Sequence, residues 1–181
     1  MLLVDVRIKN YKCILDSETF TVDQMTCLVG KNESGKSAIL QALYKLNPVD
    51  TGDIYDALYE YPKMHQTDFE AGEIPDGSTV IISHWKFTEN EIAEIDALFG
   101  SGFITKSTIV TITNGYDNHR SWSFEPNFGK LFTKKTADFA FGDPDRAQIN
   151  KLNSISDIRT QLNQLSVLSD AEQSFKDWFN K

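Results

Sequence analysis

The chain has 181 residues, 40% of them hydrophobic and 24% charged, the usage of a globular domain long enough to close a core without disulfide or metal staples. Eighteen Lys and Arg against 26 Asp and Glu leave a formal charge of -8 and a pI near 4.8, a poor balance for a stand-alone polyanion binder. No apolar run reaches the roughly 18 residues of a membrane span, and residues 1–10 mix acid and base without a small-residue cleavage site, so no membrane association and no signal peptide are expected.

Residues 2–14 alternate, with Leu3, Asp5, Arg7 and Lys9 set against Val4, Val6 and Ile8, which predicts a half-exposed strand. A strand pair is expected at 18–22 and 25–29. The second of these, Met-Thr-Cys-Leu-Val, suits a strand buried on both faces. Cys13 and Cys27 share this strand-like context and are expected to be buried free thiols rather than a disulfide, which points to a reducing cytoplasm. Residues 30–35 break the pattern. Ile39, Ala42, Leu43 and Leu46 then stand at i, i+3, i+4 and i+7 on a helix over 37–46, ended by Asn47-Pro48.

Residues 48–77 read as loop. Positions 50–76 hold eight acids against Lys63, whereas 1–46 hold five acids and six bases, so an anionic ligand is best tolerated in the first quarter. A strand is expected over 78–87, and Thr88 with Glu91 forms a capping box that opens a helix to about Phe99, stopped by Gly100. Residues 107–113 and 119–124 make a strand pair, with Asn114-Gly115 in its connection. From 143 onward the spacing of Ile149, Leu152, Ile155, Ile158, Leu162 and Leu165 is helical, and a last segment runs 169–180.

The chemistry is carried by residues 30–37, Gly-Lys-Asn-Glu-Ser-Gly-Lys-Ser, a full match to G-x-x-x-x-G-K-[ST]. Gly30 lets the chain turn out of the preceding strand, and Gly35 lets backbone N–H groups approach phosphate oxygens without a Cβ in the way. Those amides and the helix N-terminus form a concave set of donors that favours anions. Lys36 would reach the β- and γ-phosphates of ATP, and the Ser37 hydroxyl would ligate Mg²⁺. A Gly-Ser turn with a solvated lysine is the plain structural alternative. The expected setting after a buried strand and before a helix favours the phosphate loop.

This loop, following a strand that ends Ile8-Lys9-Asn10-Tyr11-Lys12, resembles the opening of the SMC/RecF-type ATPases of the ABC class, and within them the overcoming-lysogenization-defect (OLD) family. The resemblance covers 1–47. It implies an α/β fold of the P-loop NTPase, ABC-ATPase type, an N-terminal lobe with a mixed sheet around the phosphate-loop helix, followed by a helical segment. It places Lys12 near the nucleotide and Asn32, Glu33, Ser34 and Ala38 in or beside the loop, Glu33 standing where glycine is common in the family. Gln66 or Asp68 lies where relatives place residues that sense the metal and γ-phosphate, so Gln66 is a candidate beside Ser37 for Mg²⁺; a solvated loop is the alternative.

Two parts of such an ATPase are missing. No apolar strand runs into an Asp-Glu pair, since 80–82 continues into Ser83-His84. Residues 168–173 lack the glycines of the signature and instead form a second capping box, Ser169 to Glu172. The expectation is a nucleotide-binding lobe over 1–142 and a helical segment over 143–181 that begins an insertion in a longer protein. The remaining machinery would come from a C-terminal lobe or a second protomer, and nucleic acid would be engaged only by the full assembly, in repair, nuclease control or phage defence. Such a chain would bind ATP and turn it over little. The alternatives are an interaction module with a vestigial loop and a small-molecule kinase, for which Arg7, Arg120, Arg146 and Arg159 are too scattered to form a lid. Lys130, Lys134 and Lys135 are a solvated basic cluster or a partner contact.

Overall fold

Alternation at the start of the chain builds the strand on which the sheet is assembled. In a computed structural model, β1 (Leu2–Tyr11) turns Val6 and Ile8 inward, both fully buried, and leaves Asp5, Arg7 and Lys9 half-buried. The structure describes residues 1–32, 34–73, 78–139, 149, 151–152, 154–164 and 169–180. Two units are distinguished: Met1–Lys86 with Ile109–Phe124, and Phe87–Thr108 with Glu125–Lys181.

The first unit holds the sheet, in the order β2 (Ile14–Asp16), β1, β4 (Thr79–Lys86), β5 (Ile109–Gly115), β6 (Ser121–Ser123), with β3 (Phe20–Thr21) also on β1. Every pairing among the described residues is antiparallel, so the sheet expected to be mixed is antiparallel here. Register places Val6 opposite Ser83 and Ile8 opposite Ile81, and then Ser83 opposite Ile112. That inner face is covered by α1 (Lys36–Leu46), whose Ala38, Ala42 and Leu46 recur every four residues and are buried. Ser83, buried in this apolar layer, donates to the Ile112 carbonyl at 3.1 Å and accepts from Trp85 Nε1 at 2.9 Å, so its hydroxyl is satisfied.

Residues 25–29, expected as a doubly buried strand, form none: Met25 and Val29 are 91% and 89% exposed. Two local causes are visible. Asp23 N donates to Thr26 Oγ1 at 2.9 Å and Gln24 N to Asp23 Oδ1 at 2.7 Å, a side-chain turn that competes with extension. Both edges of β1 are also taken, by β4 on one side and by β2 and β3 on the other. Cys13 and Cys27 are free thiols but exposed, not buried, because one lies in a hairpin and the other in this unpaired stretch. The loop expected over 48–77 contains α2 (Ala57–Glu60), a 3₁₀ turn (Lys63–His65) and α3 (Gln66–Glu70), one-turn elements too short to give a period. Asn114-Gly115 belongs to β5 rather than to the connection.

In the second unit, α4 (Glu89–Phe99) has the expected capping box: Glu91 N donates to Thr88 Oγ1 and Thr88 N to Glu91 Oε2. α5 (Phe128–Asp138) is an element the sequence reading does not assign, its glycine and threonines masking the Phe128, Leu131, Phe132 spacing. With α6 (Ile155–Gln164) and α7 (Asp170–Phe179) it closes a core of Phe132, Ile149, Ile158, Leu162 and Phe175. Ser169 and Glu172 form the second capping box. Leu165 and residues 140–148 lie outside the described residues. Lys134 donates to the Ala97 carbonyl, and Lys135 lies 3.4 Å from Asp138 and over the Trp178 ring, so part of the basic cluster is engaged within the unit. No helix among the described residues is long and apolar enough to cross a membrane.

β4 and β5 approach closely where Thr79 faces Gly115. A Cβ on Gly115 would stand 1.9 Å from the Ser78 carbonyl oxygen, so backbone would have to move. Gly115→Ala is expected to cost about 1–3 kcal/mol in urea unfolding. An unchanged midpoint would contradict this close approach.

Candidate functional site

The phosphate-loop pattern opens α1, as its spacing predicts, but the stretch before it is not a strand. Gly35 is the N-cap at φ 90°, a left-handed conformation that favours glycine, and it is closely packed: a Cβ there would meet Ile14 Cγ1 at 3.3 Å and Cys13 Sγ at 3.4 Å. The β1–β2 hairpin therefore sits directly against the loop. The N-cap of α1 is a glycine and its first turn carries no acid, so among the described residues its first N–H groups have no side-chain acceptor.

Lys36 folds back over the loop. Its ammonium donates to the carbonyls of Gly30 at 2.9 Å and Lys31 at 2.6 Å, and more weakly to Ser34 Oγ at 3.4 Å. Gly30 and Ser34 are thereby gathered around the lysine. A cleft of about 500 Å³ lies alongside, lined by Lys12, Asn32, Gly35, Lys36, Ser37 and Ala38 of the expected residues, together with Cys13 and Gln41. Glu33 lies outside the described residues. Gln66 does not line the cleft; it sits on α3, where its amide donates to Glu70 at 3.1 Å. Asp68, on the same short helix, is 3.6 Å from His65.

Lys12 reaches the cleft from the hairpin. Its ammonium donates to Gln41 Oε1 on α1, lies 3.9 Å from Glu60 Oε1 and stacks over the Tyr11 ring. Its backbone N–H donates to the Glu60 carbonyl at 2.6 Å. Glu60 is thus the anchor of the hairpin, and sequence reading gives no sign of it, because its side-chain donors Lys45 and Tyr11 are 15 and 49 residues away. Its buried carboxylate accepts from Lys45 Nζ at 2.7 and 2.8 Å, from Tyr11 Oη at 2.8 Å and from Asp56 N at 3.1 Å. Burial alone would raise this carboxyl, but the hydrogen bonds from Lys45, Asp56 N and Tyr11 outweigh it and hold it below its ordinary value. Burial, and then the hydrogen bond to Glu60, push the Tyr11 phenol well up, so it stays a donor. Tyr55, Tyr61 and Tyr116 complete an aromatic cluster around this group, Tyr55 donating to the Ala42 carbonyl of α1 at 2.7 Å.

The chemical capacity of this arrangement is anion binding. An uncapped helix N-terminus, the amides leading into it and the lysines at 12 and 36 converge on one cleft. The Ser37 hydroxyl lines the same cleft and is of the type that binds a divalent cation together with phosphate oxygens.

Residues 1–114 match the family described as AAA ATPase domain. Among solved structures, one from work on the structural biochemistry of ATP-driven dimerization and DNA-stimulated activation of SMC ATPases is similar at 11% identity over 100% of both chains, with a TM-score of 0.40. No curated protein matches the chain.

The lowered Glu60 carboxyl has a consequence for acid stability. A carboxyl that titrates lower when folded stabilises the fold above its unfolded value, near 4.5, and loses that contribution as pH falls through the folded value. Urea unfolding from about pH 6 to about pH 3 should show a smaller loss of stability for Glu60→Gln than for the wild type. Equal losses would remove Glu60 from the acid response.

Proposed function

The chain belongs to the AAA ATPase domain family, and from that premise we propose that it is the ATP-binding portion of an ABC/OLD-like ATPase whose full assembly couples ATP binding and hydrolysis to action on nucleic acid. The observation that carries the nucleotide reading is the phosphate-loop sequence at an uncapped helix N-terminus, beside a cleft that also holds Lys12. The finer OLD-like assignment rests on the combined pattern of Asn10-Tyr11-Lys12 and residues 30–37.

In this reading the amides of 34–37 and the α1 N-terminus hold the phosphates. The Lys36 ammonium exchanges its loop carbonyls for phosphate oxygens, and Lys12 supplies a second cation. Ser37 carries the Mg²⁺ contact alone among the described candidates, because the Gln66 amide is engaged with Glu70 away from the cleft. Bound Mg²⁺ would neutralise phosphate charge. The acid that orients water and the signature segment would come from a further lobe or a second protomer, so this chain binds ATP with little turnover.

Thermal unfolding with ATP, GTP or ADP, each with Mg²⁺, tests the reading. A ligand that binds only the folded state at 100 times its Kd stabilises by about 2.7 kcal/mol. Stabilisation of the wild type by ATP, lost in Lys36→Ala, is the expected result. No shift with any nucleotide would contradict it and favour an interaction module with a vestigial loop.

A further inference from the structure

We infer that Gln41 is a positioning residue for the nucleotide phosphates, acting through Lys12; the inference rests on the nucleotide-binding reading above. It starts from the backbone. β1 and β2 pair Tyr11 with Ile14, which leaves Lys12 and Cys13 as the two central residues of a tight hairpin. Lys12 has φ 52°, the left-handed conformation that the first central position of such hairpins demands and that glycine meets without strain. A lysine is an unfavourable residue for that turn. Its side chain, not its backbone, has to account for its presence.

That side chain is directed into the nucleotide cleft and held there from the opposite wall. Gln41 stands four residues after Ser37 on α1, so the two share a face of the helix, about one turn apart. Gln41 Oε1 accepts the Lys12 ammonium across the cleft. Glu60 does not compete strongly for it: at 3.9 Å its carboxylate is the more distant partner and is already occupied by Lys45 and Tyr11. A neutral amide oxygen fixes the lysine without cancelling its charge, which leaves the cation available to an incoming anion. Without Gln41 the four-carbon stem would regain rotamer freedom that phosphate binding must then freeze. Gln41 is exposed, so removing its acceptor does not open the core.

The test is equilibrium titration of the whole chain with a fluorescent N-methylanthraniloyl ATP and Mg²⁺, using wild type, Gln41→Leu, Lys12→Ala, the double variant and Lys12→Gly. Gln41→Leu should weaken binding about two- to tenfold, as freeing one rotamer-rich side chain that binding must then immobilise does. The double variant should bind no more weakly than Lys12→Ala, because Gln41 acts only through that lysine. Lys12→Gly, relieved of its left-handed strain, should melt no lower than wild type yet bind as weakly as Lys12→Ala, a combination that a merely structural lysine would not produce. Wild-type binding with an unchanged Gln41→Leu, or additive losses in the double variant, would overturn the inference alone. Absence of binding by the wild type would overturn the nucleotide reading and this inference with it.

Discussion

One buried carboxylate holds the phosphate-loop half of the first unit in place. Glu60, at the end of a helix of only four residues, accepts from Lys45 on α1 and Tyr11 on β1, while its own carbonyl receives Lys12 N. A buried charge is tolerated only when its lone pairs are filled, and here two side chains and the Asp56 amide fill them. Breaking such an arrangement by removing one partner costs about 3–5 kcal/mol, more than a typical surface ion pair contributes. The chain 12–14, which packs against Gly35, inherits its position from this contact.

The site follows from that constraint. With the hairpin fixed, Gly35 can be left-handed against Cys13 and Ile14, the helix begins at Lys36 without a side-chain cap, and its first amides are left for an anion. The net charge of -8 would seem hostile to a polyphosphate. Locally the balance is reversed, because the cleft is lined by two lysines and no acid among the described residues, and the Glu60 carboxylate, 3.9 Å from Lys12, is turned toward Lys45. In the acid-rich stretch, Asp56 caps α2 by accepting from Leu58 N at 2.9 Å, which seats Glu60 at the end of that helix.

What could be read from sequence was what is local. The alternation of Val6 and Ile8 and the two capping boxes at Thr88–Glu91 and Ser169–Glu172 depend on neighbours in the chain, and each appears in the structure. Of the Ile39, Ala42, Leu43, Leu46 face expected on α1, Ala42 and Leu46 are buried with Ala38, while Ile39 and Leu43 are half-buried. Residues 25–29 misled because an apolar run reports hydrophobicity and not whether a strand edge is free to accept it. α5 was hidden by a glycine and threonines that tertiary packing of Phe132 overrides. In the cleft, the phosphate-loop residues were legible as a motif. Gln41, Cys13 and Glu60 were not, since they enter the site through contacts across 29, 22 and 48 residues from Lys12, Gly35 and Lys12 respectively.

The central claim is that phosphates are held by the amides that lead into α1. Hydrogen exchange of backbone amides, read by mass spectrometry with and without ATP and Mg²⁺, addresses it directly. Slowed exchange concentrated in residues 30–39 and in the hairpin at 11–14 is the predicted result. Protection confined to other segments, or none at saturating nucleotide, would contradict it.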